Sequence, residues 1–95
     1  MATMLVRQRV ANFDTWKKVF DRLEDVRQQH GITGHSVHRD AIDPNMVVVV
    51  MHAGALEDAK RYGASKVLRE AMKEAGVEGV PEISFLSDVE DLHAA

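Results

Sequence analysis

The chain has 95 residues, the size of one small domain, taken to span 1–95. Its 15 acidic against 12 basic residues leave a formal charge of −3, which argues against the basic face that nucleic acid or an anionic membrane requires. It has no cysteine, so disulfides, a thiolate nucleophile and cysteine-ligated zinc are excluded.

In the opening stretch MATMLVRQRV, Met4, Val6 and Val10 alternate with Leu5, Arg7 and Arg9, the period of a strand over roughly 3–10. Arg7 and Arg9 fall where a secretory leader needs an apolar core, and the longest fully apolar run, Met46 to Met51, is far short of the ~20 residues of a membrane span. A cytoplasmic location without membrane partners is the expectation. Gln8 interrupts the apolar side of this strand. A buried amide without a partner costs about 1–3 kcal/mol, so a ligand, a water or His52 is expected to bond it.

In NFDTWKKVFDRLEDVRQQHG, Phe13, Trp16, Val19, Phe20, Leu23 and Val26 share one helical face, with Lys17, Lys18, Asp21, Arg22 and Asp25 on the other. Asn12 or Asp14 caps its start, and Gly31 takes the left-handed position after its end. His30 falls in the last turn, where a cation suits the helix dipole. Residues 32–40 predict a second strand, Asp43-Pro44-Asn45 a turn, and MVVVVM a third strand of β-branched residues. Leu56, Ala59, Tyr62, Leu68, Ala71, Met72 and Ala75 mark a second helical stretch, broken at Gly63-Ala64-Ser65 and recapped by Ser65. Gly76 stops it. After Pro81, Ile83 and Phe85 face one way and Leu86 the other, a fourth strand. The order β-α-β-β-α-β predicts an α+β, ferredoxin-like fold: a four-stranded antiparallel sheet with both helices on one face.

A sheet with one wet face alternates apolar and polar residues. Val47 to Val50 do not alternate, and Met46 and Met51 extend the run. Both faces of this strand therefore need cover. Two helices cover one, and the acidic tail SDVEDLHAA is short for covering the other. A second copy packed sheet to sheet in a two-fold homodimer is the economical solution. At ~25 cal/mol per Å² of apolar area, hiding two valines and a methionine per chain contributes several kcal/mol.

The element order, NFDTWKKVF after the first strand, DPN in the hairpin and LREAMKEAGVEGVPEISFL near the end resemble the dimeric α/β-barrel superfamily, within it the antibiotic-biosynthesis-monooxygenase-like and cyclase-like small proteins. The resemblance covers nearly the whole chain and is a pattern of fold rather than a catalytic motif. It implies a pocket between helices and sheet and, in some members, oxidation of phenolic or quinone-like compounds without metal or flavin.

The candidate site residues follow from polarity set against that frame. A two-residue turn between Ile42 and Asn45 would set His35 across from His52, so that both share a face as an acid/base pair; a three- or five-residue loop or a bulge would put His38 with His52 instead. Two histidines alone do not make a metal site, and no third ligand is assured by spacing, so none is expected. Alternatively, each histidine hydrogen-bonds a neighbour. His38 is expected near the turn and His93 in the tail. Trp16 is a core anchor or the wall of an aromatic pocket. Asn12 is a cap or faces a ligand. Tyr62, beside the helix break, is a rim or core residue, or presents its hydroxyl to a ligand. The resemblance implies a cofactor-free oxygenase or cyclase-like protein for an aromatic or polyketide-like molecule, with His52 and His35 catalytic and Gln8, Asn12, Trp16 and Tyr62 binding. The alternative is a non-catalytic dimer that binds a small hydrophobic ligand or serves a stress role.

Overall fold

The computed structural model describes residues 1–92; His93 lies outside them. Strand β1 (Ala2–Val10) is followed by α1 (Phe13–Arg22), α2 (Glu24–Gln29), β2 (Ile32–Arg39), β3 (Met46–Ala53), α3 (Leu56–Gly63), α4 (Lys66–Glu74) and β4 (Val77–Ser87). The strands form one antiparallel sheet in the order β2-β3-β1-β4, with β1 and β3 central. This is the expected ferredoxin-like arrangement, with each helical stretch divided in two.

The divisions have local causes. Asn12 caps α1 by accepting the Thr15 N–H at 3.0 Å. The chain departs from helical geometry at Leu23, where φ is −98° and ψ is 14°, and Arg27 in the next turn reaches back to donate to the Phe20 carbonyl at 2.7 Å. Gly31, at φ 82°, ends α2 in the left-handed conformation that favours glycine. The break between α3 and α4 falls where Gly63-Ala64-Ser65 placed it, with the Ser65 hydroxyl accepting the Leu68 N–H at 3.3 Å.

Strand β4 starts at Val77, earlier than the sequence pattern placed it. Its pairing with β1 shifts between Arg7 and Arg9, and Gly79 adopts φ 72°. As an edge strand, β4 tolerates Pro81.

Across β1 and β3, Met4 pairs with Met51, Val6 with Val49 and Gln8 with Val47, and this side meets the helices. Met4, Val6, Val47, Val49 and Met51 are buried there with Trp16, Val19, Ala59, Tyr62 and Leu68. The other side carries Thr3, Leu5, Arg7 and Arg9 opposite His52, Val50, Val48 and Met46. Among the described residues no helix packs on it, and Leu5, Val48 and Val50 remain partly accessible.

The hairpin register differs from the two-residue-turn expectation. Asp40 N donates to Met46 O at 2.9 Å, which leaves a five-residue loop over 41–45. The Asp40 carboxylate organises it by accepting the N–H groups of Ile42 at 2.8 Å and Asp43 at 2.9 Å. His35 consequently pairs with Met51, Gly34 with His52 and His38 with Val48. His35 therefore lies on the helix side, while His52 and His38 share the bare side.

Candidate functional site

A cavity lies between the helices and the sheet. Its floor is Val6, Gln8, Val49 and Met51; Trp16, Phe20 and Arg27 form one wall, and Tyr62, Leu68 and Met72 another. Its interior is about 40 Å³, enough for two or three waters. That is well short of the roughly 300–1,000 Å³ of small-ligand clefts; counting the solvent space at its open mouth brings the empty volume to about 420 Å³. Trp16 sits in a row of aromatic rings, 5.8 Å from Phe13 and 5.1 Å from Phe20 between centroids.

Three polar side chains reach this apolar space. Gln8 is 5% exposed, and its Oε1 is buried without a hydrogen-bond partner. Arg27, which the sequence reading did not single out, is 2% exposed. Its Nη2 donates to Glu24 Oε2 at 2.8 Å, and its guanidinium lies 3.7 Å over the Phe20 ring. Its Nε is buried and unpartnered. A signal for it did exist: Trp16, Phe20, Leu23 and Arg27 follow the 4, 7, 11 spacing of one helical face. Tyr62 is the third. Burial pushes its phenol above the ordinary value of 10.0, while Arg27 pulls it partly back through its charge and a weak donor contact.

The structure thus gathers Gln8, Trp16 and Tyr62 around one cavity and leaves Asn12 at the start of α1 as a cap. His35 stands behind the aromatic wall, its ring edge-on to Phe20 at 4.9 Å and its Nδ1 4.0 Å from Glu24 Oε2. The Arg27 hydrogen bond, aided by the charges of Arg27 and His35, holds the Glu24 carboxyl below its ordinary value. His52 does not share a face with His35 and cannot bond Gln8, because the two lie on opposite sides of the sheet. Its Nδ1 is 3.5 Å from the Thr3 hydroxyl, which donates to Asp88 Oδ1 at 2.5 Å. His38 bonds Ser36 on the bare side at 2.8 Å. His30 bonds the Val26 carbonyl at 2.9 Å and packs 5.3 Å from the Tyr62 ring. The expected His35–His52 pair is thus separated by the five-residue loop.

No helix among the described residues is long and apolar enough to cross a membrane. No protein-family model matches the sequence, and no curated protein matches it. Solved structures do match. SnoaB, a cofactor-independent oxygenase from Streptomyces nogalater, superimposes with a TM-score of 0.76 at 17% identity, over 96% of this chain and 95% of that one. Two candidate antibiotic biosynthesis monooxygenases are similar: one from Deinococcus radiodurans (TM-score 0.75, 14% identity, 100% and 99% covered) and one from Caulobacter crescentus (TM-score 0.74, 19% identity, 94% and 90% covered). The fold is therefore that of the antibiotic-biosynthesis-monooxygenase-like proteins, along nearly the whole chain.

Proposed function

We propose that this chain is a homodimer, paired through the bare side of its sheet, that binds a small aromatic molecule in the cavity between helices and sheet and oxidises it without a cofactor. The observation that carries the reading is an apolar, aromatic-walled cavity in which buried Gln8 and Arg27 each keep one polar atom without a partner. Buried polar atoms are normally satisfied, and a bound molecule is one way to satisfy them. The likeness to SnoaB supports the oxygenase class as an analogy of fold. In this reading Trp16 and Phe20 hold the ring by stacking, Tyr62 and Gln8 orient its oxygens, and the substrate's own acidity supplies the carbanion or phenolate that meets oxygen.

A second reading is favoured by one specific feature. Arg27 and Tyr62 are the only titratable groups that line the cavity among the described residues, so no imidazole or carboxylate stands there as a base. A binding protein without turnover needs none. One experiment separates the two: the purified protein is incubated in air with polycyclic phenols, and oxygen uptake, oxygenated product and thermal stabilisation are followed together. The oxygenase reading predicts all three, lost with Trp16→Ala. Stabilisation without oxygen uptake or product supports the binder, and no response of any kind rejects the cavity as the site.

A further inference from the structure

The cavity wall contains a buried charge, Arg27, whose part in choosing the ligand neither reading specifies. Arg27 spends one donor on the Phe20 carbonyl and one on Glu24, and makes a weaker donor contact to Tyr62. Its Nε remains without an acceptor at 2% exposure, on the wall of a space that no carboxylate lines among the described residues. Glu24, its counter-ion, is half exposed, with 49% of its side chain accessible. A guanidinium in a dry apolar site favours an anion strongly, because little water screens the pair. Gln8 lines the same space, and its Oε1 is buried without a donor.

We propose that Arg27 is the specificity-determining residue of the site: it selects ligands that carry an acidic hydroxyl, a phenol or an enol, and holds that oxygen ionised, while Gln8 accepts from a second hydroxyl of the same ligand. The inference rests on the cavity being the ligand site. It also supplies what an oxygenase without a base requires, since a cavity that lowers the ligand's own pKa needs no imidazole. Burial alone would act the other way, toward the neutral phenol, so the sign of the effect identifies Arg27 as its source.

The test uses 4-nitrophenol, whose ionised form is coloured, with 4-nitrocatechol, which adds a hydroxyl, and 4-nitroanisole, which has neither acid nor donor. Measurements are made at one pH, where free 4-nitrophenol is half ionised, so that Glu24, His30, His35 and Tyr62 keep their states. The bound dye is expected to shift toward the phenolate by about tenfold, a deepening of colour that depends on the positive charge at position 27. Affinity is expected to rank nitrocatechol, nitrophenol, nitroanisole. Gln8→Leu is expected to abolish the advantage of nitrocatechol, and Arg27→Met the colour shift. Arg27→Lys retains a positive charge without the fixed Nε donor and is expected to keep part of the shift. A bleached dye on binding, or equal affinity for nitrophenol and nitroanisole, overturns the inference while leaving the cavity as a ligand site. Failure of all three compounds to bind overturns both.

Discussion

The two faces of the sheet differ in how they are finished. On the helix side, Val47, Val49 and Met51 are at most 3% exposed and belong to one core cluster with side chains from the helices. On the bare side, Val48 and Val50 have the same chemistry but stay partly open, beside Leu5 and a Leu86 that is 45% exposed. The bare side is not uniform: its other half carries Arg7 opposite Glu82 and Arg9 opposite Glu78. Val47 to Val50 are nearly interchangeable as residues, so the contrast is one of surroundings. The helix side holds the stability and the cavity; the bare side holds surface that a second copy would bury.

Substitutions in this valine run sharpen the contrast most. Val49→Asp places an unpaired charge in the core, and its expected loss is a large part of the about 5–15 kcal/mol that holds a domain together; circular dichroism is expected to show an unfolded chain. Val50→Asp, one residue away on the bare side, is expected to leave a folded chain but to raise the dimer dissociation constant by a hundredfold or more, as read by sedimentation. A folded Val49→Asp protein or an unimpaired Val50→Asp dimer would erase the distinction. Next in size, Trp16→Ala removes the ring between Phe13 and Phe20 and is expected to lower stability by about 3–5 kcal/mol in denaturant titration.

Smaller effects probe how the helix side is assembled. A methyl group at Gly63 would stand 2.6 Å from Phe85 Cζ, so Gly63→Ala is expected to cost about 1–3 kcal/mol by overpacking. Asn12→Ala is expected to cost about 1 kcal/mol by loss of the α1 cap and to leave ligand affinity unchanged; a fall in affinity would return Asn12 to the binding site. The smallest effect depends on pH. The backbone N–H groups of Asp43 and Ile42, aided by the Arg7 charge, hold the Asp40 carboxyl below its ordinary value of 3.8. A depressed folded pKa gives stability that is present above 3.8 and lost as pH falls through the lower folded value. The melting-temperature gap between wild type and Asp40→Ala should therefore be open at neutral pH and narrow in acid below 3.8.

Most of the fold was legible because its signals are local. Alternation in 3–10, the spacing from Phe13 to Val26, and the Gly63-Ala64-Ser65 break each act within a few residues, and each has its counterpart in β1, α1 and α2, and the α3–α4 junction. The histidine geometry was not legible, because loop length decides it. Asp43-Pro44-Asn45 announces a turn, but the bonds from the Asp40 carboxylate widen it to five residues, and one residue of slip moves His35 and His52 to opposite sides. Gln8 was legible as a polar anomaly on an apolar strand face. Arg27 was concealed by charge: it occupies an inward helical position, but arginine is almost always read as solvated surface.

The central claim is that the bare side of the sheet is hidden by a twin. Sedimentation equilibrium of the wild-type chain at micromolar concentration tests it most directly. The account predicts twice the protomer mass of 10.6 kDa; a single-protomer mass, with Leu5, Val48 and Val50 left to water, would contradict it.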